Sequence, residues 1–232
     1  MGPESSSNNS LLRLPRKIRD DIYRRVLIVP HPLYLFKDGA AHKVELFAPD
    51  RPARWPALLY INRKIHDEAI EILYRSHQFV LVDTGRSQAT LLETFLDLIG
   101  SVNAGYLSHI CINFPVAATD LQRAAGHKVG PEDVTGILLD EDLHGLKLIQ
   151  QRCRNLTTLE MYVHSENSQG LVASAGQGEM SRHTNEALAE VEAQLKAIAS
   201  LKKVIVRLYN GPLNREVAEV MQSFGWAVLS GR

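Results

Sequence analysis

Few groups of residues in this chain have the types and spacing that chemistry needs, and each group is incomplete. Glu141 and His144 stand three apart, the i, i+3 spacing of a di-iron ligand pair. Such centres need two pairs of this kind and two further carboxylates, and only one pair is present, so a solvated helix face is the better reading. His66, Asp67 and Glu68 are adjacent in a helical pattern and therefore point apart, which prevents them from converging on one ion. His164 and Glu166 stand where a strand gives way to a loop and could share an ion, but they have no third ligand in view. Cys111 follows His109 by two residues, so a strand would put both on one face. An imidazole placed there could activate a thiol nucleophile. The same pattern describes a buried thiol beside a hydrogen-bonded histidine, which is the preferred reading. The nucleophile elbow, the phosphate-binding loop, the HExxH zinc motif and the dinucleotide fingerprint are all missing from the sequence. No enzymatic activity, metal or cofactor is expected.

The other group is basic. Arg13, Arg16, Lys17, Arg19, Arg24 and Arg25 crowd one short stretch, with Arg51, Arg54, Arg63 and Lys64 further along. A nucleic-acid groove usually adds exposed aromatics and a net basic domain. Here Asp20 and Asp21 dilute the cluster, and Lys+Arg and Asp+Glu both total 26 over the whole chain. Nucleic acid and anionic membranes are therefore poor fits, and a solvated face or an acidic protein partner is the better one.

The elements that would position these residues are legible. Residues 1–10 are too polar to bury anything and are expected to be disordered. Helix one follows, with Pro15 in its first turn and Leu14, Ile18, Ile22 and Val26 four apart in one narrow apolar stripe. Two short strands should flank the turn dipeptide Asp38-Gly39. A longer helix is expected from Pro56, with Leu58, Ile61, Ile65, Ala69 and Ile72 as its apolar face and Asn62-Arg63 in its interior. An interior Asn wants a partner for its amide, so a structural tie is expected there. Thr90 to Glu93 matches a capping box at the start of the next helix, whose face is Leu92, Phe95, Leu96 and Ile99 and whose end is Gly100.

Beyond this the chain repeats. Leu107, Leu156 and Leu201 each open a strand-like segment (107–114, 156–163 and 201–209), and each segment follows a helix-like one. Leu139, Leu143, Leu146 and Ile149 line one connecting helix; Leu188, Val191, Leu195 and Ile198 line the next, with Thr184 or Asn185 as its cap. A last helix starts at Asn214, and Trp226 to Leu229 reads as a final strand. Strands joined by helices predict a parallel sheet, with Ile110, Ile112, Leu159 and Val206 buried in it. Two long loops, about 116–133 and 165–183, interrupt the array.

The two N-terminal blocks resemble the fungal F-box-like family. Leu14, Pro15, Ile18, Arg19, Ile22 and Tyr23 match its first helix, and Leu58, Leu59, Ile61, Asn62, Arg63, Ile65, Glu68, Ala69, Leu73, Tyr74 and Phe79 match its second helix and the strand after it. The resemblance covers residues 11–82 and implies an F-box-like helical part, into which the hairpin around Asp38-Gly39 is inserted. Residues 83–232 would then be an irregular leucine-rich-repeat-like helix–strand array, the whole an α/β protein. It implies a non-catalytic protein-interaction adaptor, a substrate receptor of a Skp1–cullin ubiquitin ligase, with Leu14, Pro15, Lys17, Ile18, Arg19 and Ile22 as partner-binding residues. The alternative is a scaffold or assembly subunit of a nuclear complex with no ligase role. The stripe on helix one has two possible fates: docking on a partner, or packing on Ile65, Ala69 and Ile72 as a closed cap. Cys111 and Cys153 lack CxxC spacing, the N-terminus is no signal peptide, and no apolar run reaches the ~18 residues of a membrane span. A cytoplasmic or nuclear protein with reduced thiols is expected.

Overall fold

The leading leucines set the register of the repeats. In the computed structural model β4 (His109–Asn113), β5 (Thr158–Val163) and β6 (Lys203–Leu208) are neighbouring parallel strands. Cys111 lies opposite Glu160, and Glu160 opposite Ile205. These residues each stand four beyond the leucine that opens their repeat. The structure describes residues 11–37, 43–82, 87–115, 138, 140–164, 171, 182–209 and 213–230. The expected tail and the expected turn at Asp38-Gly39 lie outside these residues, as does nearly all of the two expected loops.

The sheet continues in both directions. On one side β3 (Gln78–Leu81) pairs parallel with β4, and β1 (Leu33–Lys37) pairs parallel with β3. β2 (Val44–Phe47) closes that edge as the antiparallel partner of β1, which gives the expected hairpin. On the other side β7 (Ala227–Ser230) pairs parallel with β6. The result is one seven-stranded sheet in the order β2-β1-β3-β4-β5-β6-β7. The N-terminal part and the repeats thus share a sheet as well as a core.

The helices lie in a row. α1 (Arg16–Leu27) packs on α2 (Arg63–Ser76), α2 on α3 (Gln88–Ala104), α3 on α4 (Asp140–Arg152) and α4 on α5 (Arg182–Lys196). α6 (Arg215–Ser223) packs on β7. Strand alternation decides which sheet face they cover. Ile110, Ile112, Leu159, Met161, Val163, Val206 and Leu208 join Leu92, Phe95, Leu96, Leu146, Ile149, Leu188, Val191, Leu195, Val217 and Met221 in a single core. The intervening strand residues Val80, Cys111, Glu160 and Ile205 are also buried, yet they stand outside that core, on the opposite face. A central parallel strand normally reads as continuously apolar. β5 instead alternates apolar with Thr158, Glu160 and Tyr162, which marks the second face as polar.

Three helix starts differ from the sequence reading. α3 begins at Gln88, two residues before Thr90, and Thr90 is no cap. The Gln88 side chain fixes this start by donating to the Leu81 carbonyl and accepting from the Asn113 N–H, tying the helix to β3 and β4. Gly100, at φ 76 and ψ 167, does break the helix as expected, but one more helical turn follows it. α5 begins at Arg182, so Thr184 is inside the helix and buried. The helix expected from Pro56 is two pieces, a 3-10 helix at Trp55–Tyr60 and then α2. Asn62 divides them: it is the cap of α2, its Oδ1 accepting the Ile65 N–H at 3.0 Å. The amide has the structural tie that was expected, made to its own helix. Ile61 consequently leaves the apolar face and is 58% exposed.

Candidate functional site

The stripe on helix one is where two outcomes were open. α1 turns a different set of residues inward: Arg19, Tyr23 and Leu27 are its buried positions. These lie one residue, or about 100° of helix, round from Ile18, Ile22 and Val26. Leu14, Ile18 and Val26 are 38%, 48% and 44% exposed, and Ile22 is half-buried. The closed-cap packing on Ile65, Ala69 and Ile72 therefore does not occur through this stripe.

The reason is electrostatic. Glu68 sits inside the α1–α2 seam, where Arg19 grips it with two nitrogens, Nε to Oε2 at 2.7 Å and Nη2 to Oε1 at 2.5 Å. The Tyr23 hydroxyl donates to Oε2 at 3.0 Å. Hydrogen bonds from Arg19 first, against the opposing effect of burial, with help from Tyr23, hold the Glu68 carboxyl down to about 2. Orienting Arg19 inward rotates the stripe outward. Arg19 was expected in the docking set and in the basic cluster; being 6% exposed and paired, it is not on that surface. Arg16 pairs with Asp20 and Glu71, and Arg25 with Asp21, so part of the basic cluster is neutralised within the molecule. Lys17 and Arg24 remain exposed beside the stripe, as does Pro15, which precedes the first turn of α1 as its cap residue.

The second arrangement is polar and lies on the sheet face away from the core. Glu160, 3% exposed at the middle of β5, receives Arg207 Nε on Oε1 at 2.5 Å. Gln78 Nε2 donates to its Oε2 at 3.1 Å and to Cys111 Sγ at 2.8 Å. His109 Nε2 stands 3.4 Å from the same Oε2. Four strands therefore supply one cluster, β3 with Gln78, β4 with His109 and Cys111, β5 with Glu160 and β6 with Arg207. Burial pushes the Glu160 carboxyl up, but His109 and Arg207 outweigh it and hold it below its usual range. Burial pushes the Cys111 thiol up to about 12, so it is no thiolate at neutral pH. His109 faces the carboxylate instead of the sulfur. The nucleophile considered from sequence is therefore not assembled; the thiol is buried as the alternative expected, but His109 Nε2 makes no hydrogen bond. At the N-terminal ends of β3, β4 and β5, Gln78, His109 and Thr158 also line an open groove of about 360 Å³ with His31, His77 and Ser108. His77 is spent on structure: its Nδ1 meets the Leu73 carbonyl and its Nε2 accepts the Val29 N–H.

The other sequence candidates do not converge. His144 approaches Glu93 of α3 at 3.9 Å, an exposed pairing without Glu141. His66 Nδ1 contacts the Leu59 carbonyl at 2.9 Å, away from Glu68. His164 stacks on Tyr209, ring centroids 5.3 Å apart, and Glu166 lies outside the described residues. Among the described residues no helix is long and apolar enough to cross a membrane.

No family model, no curated protein and no solved structure matches this chain.

Glu160, Arg207 and Gln78 were missed in the sequence. Two signals could have found the first two. Glu160 is the one charged residue in its strand, and aligning the repeats on their leading leucines places Cys111, Glu160 and Ile205 side by side and Asn113, Tyr162 and Arg207 next to them. The structural register agrees with that alignment at every one of these positions.

Proposed function

We propose that this chain is a non-catalytic protein-interaction adaptor of the F-box-like kind. It docks through the outward face of α1 on an acidic partner surface, Skp1 in the reading that the N-terminal resemblance favours. The observation that carries this is the stripe itself: Leu14, Ile18 and Val26 are large apolar side chains left in water on a helix whose other face is fully engaged. A partner that covers them gains apolar burial, and exposed Lys17 and Arg24 favour an acidic approach by steering. Arg19 supports docking from within, because its grip on Glu68 sets the rotation of α1 and keeps the stripe outward. In this role the helix–strand array holds the target that the adaptor delivers for ubiquitination.

Titration calorimetry of the whole chain with recombinant Skp1 tests the reading. One-to-one binding at micromolar or lower Kd is expected, and Ile18→Asp should abolish it without unfolding the protein. If the wild-type chain gives no binding, the ligase role fails and the scaffold reading takes its place.

A further inference from the structure

Independently of the docking surface, and against the expectation of a metal-free protein, we propose that His109, Cys111 and Glu160 form a zinc site joining β4 to β5. The ligand atoms of the three side chains all lie within 4.8 Å of one another. Two separations are close to those a tetrahedral zinc imposes: His109 Nε2 to Glu160 Oε2 is 3.4 Å, and Cys111 Sγ to Glu160 Oε2 is 3.9 Å. With zinc–nitrogen and zinc–oxygen bonds near 2.0 Å and zinc–sulfur near 2.3 Å, the corresponding edges are roughly 3.3–3.5 Å. The third pair, His109 Nε2 and Cys111 Sγ, lies within the same 4.8 Å.

The second, independent observation is His109 Nε2. It is a buried side-chain nitrogen without a hydrogen bond, and its 3.4 Å approach to Glu160 is not aligned as one. Buried polar atoms without partners are rare, and a metal ion would complete this one. The surroundings fit as well. Arg207 engages Oε1 of Glu160 and leaves Oε2 to the cluster, so it serves as an outer partner orienting the ligand. Gln78 Nε2 already donates to both Sγ and Oε2, the bonds an anionic thiolate and carboxylate need. Thiolate, imidazole and carboxylate together select zinc over magnesium or calcium. Two anionic ligands balance the dication. Gln78 and His109 also line the open groove, which gives the ion a way in. Binding replaces the Cys111 S–H bond with a Zn–S bond and releases one proton to solvent, with no change of oxidation state.

The experiment is equilibrium dialysis of the full chain against chelator-buffered zinc, with cobalt(II) as the spectroscopic probe. One zinc per chain is expected, together with a tetrahedral cobalt spectrum carrying a thiolate charge-transfer band. His109→Ala should weaken binding at least tenfold, and Cys111→Ser should remove the thiolate band. The proposal is overturned if the wild-type chain takes up less than one zinc at micromolar free metal. It is equally overturned if cobalt shows only octahedral oxygen ligation, or if His109→Ala binds as wild type does. The wild-type stoichiometry and spectrum decide the matter even if a variant misfolds.

Discussion

Replacing Glu68 with Gln removes the charge at the centre of the α1–α2 seam while keeping its volume. Arg19 would lose its bidentate carboxylate and keep the Leu14 carbonyl and at most one amide oxygen, and Tyr23 would face an amide. Removing one partner of a well-buried pair costs about 3–5 kcal/mol. The seam is open on one side, where Arg16, its side chain 45% exposed, reaches within 4.0 Å of Glu68. Solvent screening there, and the amide oxygen still able to accept, reduce the expected cost to about 2–3 kcal/mol. For a chain of this length that is a fall in melting temperature of about 4–12 °C. The pH dependence is the sharper signature. Glu68 sits at about 2 in the folded protein against an ordinary 4.5, so its contribution is complete above 4.5 and is lost as pH falls towards 2. Urea unfolding of both proteins, followed by circular dichroism, should therefore show the difference between them intact at pH 7 and more than half gone near pH 3. A difference below about 0.5 kcal/mol at pH 7, or one that does not shrink with acid, would refute this account of the seam.

Asn62→Ala should destabilise by about 1 kcal/mol, since it deletes the side-chain oxygen that caps α2 at the Ile65 N–H. An unchanged urea midpoint would mean that the 3-10 helix before it carries the cap alone. Gly100→Ala should cost about 1–3 kcal/mol for backbone reasons only, because φ 76 and ψ 167 are essentially closed to residues with a Cβ, although a Cβ there would meet no atom within 4 Å. A variant as stable as wild type would show that α3 does not need this break.

The sheet was readable because its signals are local. Three of its strands follow a leucine that comes after a helix, and the alternation in "LTTLEMYV" already divides one face from the other. Helix starts were less so, since Gln88 begins α3 through contacts with Leu81 and Asn113 that are remote in sequence. The inward face of α1 was misread for a related reason. Hydrophobic periodicity cannot anticipate that an arginine will be drawn inward by a glutamate 49 residues away, and once Arg19 turns in, Ile18 must turn out. The Glu160 cluster needed the register across four strands, which only the repeat alignment carries, and Gln78 falls outside the repeats altogether.

The central claim is that Ile18 faces a partner and not the core, and one variant measured twice tests it. Ile18 is 48% exposed, so a partner covering that half gains about half of the roughly 1.5–3 kcal/mol that complete burial gives. Ile18→Ala should thus weaken binding to recombinant Skp1 by about 0.7–1.5 kcal/mol, or roughly 3–12-fold in Kd. The melting temperature should fall by no more than about 6 °C, because only the other half of the side chain is lost from the folded protein. A larger fall in melting temperature with an unchanged Kd would contradict the claim and make this face of α1 part of the fold alone.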